Sequence, residues 1–177
     1  MNRISPRLLA GAVAALFACS GTAAFAQSAP NDAQIAGIVV AANTVDIDAG
    51  KLAEKTTHNP EVKAFARQMV TDHTGVNQQA GALVKKLKVT PQDSEIAAGL
   101  KRDGAENIAR LKGMKGKYFD KAYVEHEVAY HQAVIDALDK TLVPNARNAQ
   151  LKETLLKVRP AFVAHLEHAK QLRASMK

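Results

Sequence analysis

His58-Asn59-Pro60-Glu61-Val62-Lys63-Ala64-Phe65-Ala66-Arg67-Gln68-Met69-Val70-Thr71-Asp72-His73 decides the fold. Asn59 can cap a helix, and Pro60 suits the first helical position, where its missing N–H is not needed. Glu61 favours the positive end of the helix dipole. Val62, Phe65, Met69 and His73 then recur at gaps of 3 and 4, one apolar stripe broken by a histidine. The stripe continues through Val76, Ala80, Leu83 and Leu87, and Gly75 and Gly81 weaken it enough to predict a bend.

Upstream, Ile35, Ile38, Ala42, Val45, Ala49 and Leu52 form a matching amphipathic stripe. Downstream, Thr90-Pro91 ends the second helix. A weaker helical stretch follows from Asp93 to Lys112, and Gly113-Met114-Lys115-Gly116 breaks it. A third main helix is predicted from about Tyr118 to Lys140, with Val124, Val128, His131, Ile135 and Leu138 in register. Val143-Pro144-Asn145 reads as the next turn. The last helix carries Leu151, Leu155, Val158, Phe162, His165, Ala169, Leu172 and Met176. Pro160 inside it deprives the Leu156 carbonyl of its partner and predicts a kink. Two short turns and one long, partly helical crossover between the second and third helices give an all-α, ferritin-like four-helix bundle of two hairpins.

The beginning of the chain predicts export. Arg3 and Arg7 precede the apolar run Leu8 to Phe17, which is shorter than the ~20 residues that span a bilayer. Ala24-Phe25-Ala26 offers small residues to a signal peptidase, with cleavage before Gln27. The alternative is a lipid anchor on Cys19 at the outer membrane. The expected organisation is therefore a signal at 1–26, a flexible segment at 27–33 and one helical domain at 34–176, located in the periplasm. Losing Arg3 and Arg7 takes the 24 basic residues to 22 against 17 acidic ones, a mature charge of +5. The single cysteine leaves with the signal, so the cleaved form has no disulfide and no thiolate nucleophile.

Lys85, Lys86 and Lys88, with Lys112, Lys115, Lys117 and Lys121, are the densest basic clusters. An anionic envelope component is the partner such a surface would attract. No aromatic residues interleave them, so nucleic acid is not an expected partner. Ser28, Ser94 and Ser175 sit in no Gly-x-Ser-x-Gly elbow, and no phosphate-cradling glycine loop is present. The expectation is a non-catalytic protein.

Three stripes carry a histidine where an aliphatic residue belongs: His73, His131 and His165. The first helix offers Asp46 beside Val45, and Glu127 lies one turn before His131 on the same face. Neutral imidazoles and carboxylates could ligate a transition metal ion, the one cofactor the sequence suggests. Counted from the first turn at His58-Asn59, Asp46 and His73 differ by only about 3 Å in height and can meet. Counted from Val143-Pro144, His131 and His165 are mismatched by about 14 Å, and Glu127 narrows this to about 8 Å. One site from all four helices is thus not predicted. The expectation is one or two sites, His73 with Asp46 and His131 with Glu127 or His165. Asp72 is a candidate orienting partner; His168 reads as exposed, and His58 and His126 as turn and surface residues. A di-iron centre needs Glu-x-x-His on two helices, but Val70 and Phe162 stand where those carboxylates should be.

Ala49-Gly50-Lys51-Leu52-Ala53, then Asn59-Pro60-Glu61-Val62-Lys63-Ala64-Phe65-Ala66 with Met69 and Asp72-His73, resembles the first half of the domain of unknown function 4142 family. Phe119-Asp120-Lys121-Ala122-Tyr123-Val124 with His131 resembles its second half, and Pro160 with His165-Leu166 its closing helix. The resemblance covers about Gln34 to Leu172. It implies an exported bacterial protein with a ferritin-like bundle, often labelled an outer-membrane protein, although a strand-free chain cannot be an integral barrel. The family supplies no settled activity. His73, His131 and His165 match its histidine positions, and its pattern has Glu where this chain has the shorter Asp46.

Overall fold

The computed structural model describes residues 29–176. The predicted signal, Cys19 and the Ala24/Ala26–Gln27 cleavage site lie outside the described residues. The helices are α1 (Asp32–Thr56), α2 (Pro60–Leu87), α3 (Glu95–Lys112), α4 (Gly116–Ala137), α5 (Val143–Asn145) and α6 (Ala149–Ser175); a π-helical turn, Leu138–Leu142, joins α4 to α5. The all-α bundle expected from the stripes is the fold, and no strand occurs among the described residues.

The helix starts are set by short polar side chains. Asn31 Oδ1 accepts the Gln34 N–H while Gln34 Oε1 accepts the Asn31 N–H, a reciprocal capping box. Asn59 caps α2 ahead of Pro60, Ser94 caps α3, and Asn148 caps α6. Each such cap is worth about 1 kcal/mol. Asp32 accepts hydrogen bonds from the backbone N–H groups of Arg147 and Asn148 at 2.8 and 3.0 Å, pinning the start of α1 to the turn before α6. The helix α1 therefore starts at Asp32, behind the extended Asn31 cap, two residues before position 34.

α1 and α2 form one hairpin and α4 and α6 the other, with α2 packed on α6; the crossover helix α3 lies mainly against α1. α2 runs unbroken through Gly75 and Gly81, and α6 through Pro160. Pro160 and Leu156 are both exposed, so water can serve the carbonyl that the ring leaves free. Two apolar clusters hold the bundle. One gathers Phe65, Met69, Leu111, Phe119, Tyr123 and Ala169; the other gathers Ile35, Ile38, Ile135, Leu138, Leu155 and Phe162. Fully burying a side chain such as Phe65 contributes about 1.5–3 kcal/mol. Between the clusters, at mid-height, the same helices present Asp46, His73, Glu127, His131 and His165, all buried. No helix among the described residues is long and apolar enough to cross a membrane.

Close approach of α1 to the crossover depends on Gly37 and Gly104. A Cβ on Gly37 would fall 2.1 Å from the Gln92 carbonyl oxygen, and one on Gly104 2.7 Å from a Val45 methyl. Gly75, by contrast, has nothing within 4 Å of its Cβ position. Gly37→Ala is expected to lower stability by about 1–3 kcal/mol through overpacking, whereas Gly75→Ala should raise it by up to about 1 kcal/mol through helix propensity. Denaturant melts of the two variants check the pair, and equal shifts would contradict this packing.

Candidate metal centre

Five polar side chains converge between the two apolar clusters. Asp46 is supplied by α1, His73 by α2, Glu127 and His131 by α4, and His165 by α6. One ring nitrogen from each of His73, His131 and His165 lies within 4.8 Å of the others, and Asp46, Glu127 and His131 form a second such group. Asp46 Oδ2 is 3.1 Å from His73 Nε2 and 3.4 Å from His131 Nε2; Glu127 Oε2 is 3.5 Å from His131 Nδ1.

Each imidazole is tethered through one nitrogen. Asn43 donates its amide to the Val39 carbonyl at 2.8 Å, which turns Oδ1 towards His73 Nδ1 at 2.7 Å. His131 Nδ1 sits 3.0 Å from the Glu127 carbonyl, and His165 Nε2 sits 2.9 Å from Asp72 Oδ2. Carbonyl and carboxylate oxygens only accept, so these assignments put the proton on the tethered nitrogen. The other nitrogens, His73 Nε2, His131 Nε2 and His165 Nδ1, are left as buried lone pairs without a hydrogen-bond partner. Both oxygens of Asp46 and both of Glu127 are likewise unpartnered. Although His73 and His131 stand within ion-pair distance of Asp46, neither makes a hydrogen bond to it. Lone pair faces lone pair there, an arrangement that calls for a proton or a cation between them.

Burial accounts for the titration of the group. It lowers His73 to about 2 and His131 to about 4 from the ordinary 6.5, with neighbouring imidazoles adding to the effect. His165 is lowered too, against the opposing pull of Asp72. Burial raises Asp46 from 3.8 to about 8 and pushes Glu127 well above its ordinary range, with Asp46 adding repulsion. Neutral imidazoles beside carboxyl groups that resist ionisation suit a site in which a cation replaces protons. Phe162 stacks on His73 at 5.2 Å and 13°, and Tyr130 meets the His131 ring edge-on, so aromatic walls enclose the donors.

The sequence pairing of Asp46 with His73 agrees with this geometry, but the separation of His131 from His165 does not. Their ring centroids are 5.4 Å apart. The second turn lies at Ala146–Asn148, because the backbone stays helical through Leu142 and Val143–Asn145. Counted from Arg147, His131 is sixteen residues before the turn and His165 eighteen after, a height difference of about 3 Å. The four long bundle helices bring these side chains into one cluster, in which His131 is common to both groups of donors. Asp72 orients His165 rather than its neighbour His73. His126 is half-buried and stacked on Tyr130, not a surface residue, while His58 and His168 are exposed. Asn43 was not foreseen; its signal is its place one turn before Asp46.

For the metal-stripped protein the sign of the pH dependence follows from these shifts. The fold keeps the Asp46 proton up to about pH 8, whereas an unfolded chain releases it near 3.8. Its contribution is complete below about 3.8 and fades as the pH rises through 8, by at most about 1.4 kcal/mol per pH unit. Glu127 acts in the same direction. Between about pH 7.5 and 9 the histidines are almost wholly neutral in both states, because the unfolded imidazoles have lost their protons about one unit above 6.5. The melting temperature of the stripped protein should therefore fall across that window, and fall less in Asp46→Asn; equal slopes would contradict the assignment.

A comparison with curated proteins finds no match. Among solved structures the fold is similar to CopM in its Cu(II)-bound form, with a TM-score of 0.66 at 14% identity, covering 85% of this chain and 100% of that one. At that identity the likeness speaks for the fold. The model of the family described as Domain of unknown function (DUF4142) matches residues 18–172. The chain belongs to that family.

Proposed function

We propose that this protein is an exported, non-catalytic bundle that holds a single transition-metal ion, with copper the first candidate. The observation that carries the reading is the convergence of three buried, tautomer-fixed imidazole nitrogens with two unpartnered carboxyl groups. Imidazole donors suit copper, zinc, nickel and iron, so the donor set selects a class rather than one ion. CopM, solved in a Cu(II)-bound form on a similar fold, supports trying copper first.

His73, His131 and His165 would hold the ion, with Asp46 balancing its charge and Glu127 within reach. Asn43 and Asp72 would fix the rings, as outer-shell partners do in metal sites generally. The non-catalytic part of the reading is supported by Val70 and Phe162, which stand where a bridging di-iron pair would need carboxylates. Export is supported by the arginine-flanked apolar run and Ala24-Phe25-Ala26.

The test is a thermal melt of the metal-stripped purified protein, repeated with Cu(II), Zn(II), Ni(II) and Fe(II). An ion at 100 times its dissociation constant adds about 2.7 kcal/mol, or several degrees. The rise should vanish in His131→Ala. In Asp72→Ala, whose side chain only orients a ring, affinity should weaken about 10–100-fold. No rise with any of the four ions would overturn the reading.

A further inference from the structure

Beside the polar cluster lies a cavity of about 320 Å³ between α1, α3 and α4, ended by His73 and Phe162. Leu100 of α3 forms one wall. α4 faces it with Ala129, Ala133 and Ala137, small side chains at four-residue spacing that leave the space unfilled. Ala129 and Ala133 are exposed, so the alanine row marks the mouth.

Protein interiors are ordinarily packed without voids of this size. Water is a poor tenant here, because a buried water needs two to four polar partners. Few polar groups on the walls are free to hold it: Asn43 is engaged with Val39 and His73, and the Tyr130 hydroxyl with the Ala42 carbonyl, while the unpartnered His73 Nε2, 3.1 Å from Asp46, and the His126 ring are the exceptions. Asp103, exposed on α3, is the one acidic side chain on the lining, and no lysine or arginine lines it, so nothing there recognises an anion. The volume falls at the small end of ligand pockets, ~300–1,000 Å³, and cannot admit a helix ~10–12 Å across.

We infer that this cavity is a binding pocket for a small, uncharged, apolar molecule, which enters between α3 and α4 and rests against the His73–Phe162 ring pair. The pocket needs no metal in the neighbouring cluster. It adds a second ligand class, and the shared His73 places that ligand next to the proposed ion.

The experiment is a fluorescence titration of the metal-stripped purified protein with N-phenyl-1-naphthylamine, an uncharged dye that brightens in apolar surroundings. Saturable enhancement at one dye per chain is expected. Ala133→Phe, which plugs the mouth without touching a cluster residue, should abolish it while retaining the helical circular dichroism of the parent. Should that variant fail to fold, Ala137→Leu fills the space more gently and should weaken dye binding at least about tenfold. No saturable enhancement in the parent, or equal enhancement in a folded plugged variant, would overturn the pocket. Because no metal is added, either result is independent of whether the cluster binds copper.

Discussion

The burial of Asp46 and Glu127 beside three neutral imidazoles is the constraint on which the rest of the structure depends. An ionised carboxylate taken fully out of water costs several kcal/mol even after relaxation. Here neither carboxyl group makes a hydrogen bond that would offset that cost. The group is tolerable with protons bound, or with a cation among the donors. The apolar clusters above and below are what hold it out of water: Phe65, Phe119 and Tyr123 on one side, Ile35, Leu138 and Phe162 on the other. The packing that stabilises the bundle is thus also what makes its centre unwelcoming to water.

Convergence of the donors rests on register. Asn59 and Pro60 stop one hairpin where Asp46 and His73 come level. In the other, the π-helical turn at Leu138–Leu142 and the short helix behind it carry α4 past Pro144 before the chain reverses. That extension brings His131 level with His165. Asp32 then ties the far end of α1 to the same turn through the Arg147 and Asn148 N–H groups. A shift of one helical turn at either hairpin would separate the imidazoles by about 5.4 Å and dissolve the cluster.

Much of this was legible in the sequence. The 3–4 spacing of Val62, Phe65, Met69 and His73 fixed a helix and its inward face. The capping residue Asn59 marked a helix start, and the histidines announced themselves as polar residues in apolar stripes. Pro144 misled, because a proline after an apolar helix reads as a turn, yet it is equally at home in the first turn of a helical segment. The π-helical turn has no composition signature, so its effect on height could not be counted from residue numbers. Asn43 and the His165–Asp72 pair depend on side-chain direction across helices, which periodicity along one helix does not contain. His126 was misplaced because its place beside the cavity depends on where α3 crosses, although its stacking on Tyr130 is a four-residue contact along α4 itself.

The most direct test of the account is the paramagnetic resonance spectrum of the Cu(II)-loaded protein, read for nitrogen couplings. The account predicts one copper per chain, coupled to imidazole nitrogens, with those couplings lost when His73, His131 and His165 are replaced together. Copper without imidazole coupling, or an unchanged spectrum in that triple variant, would place the ion elsewhere and contradict a metal centre in the bundle core.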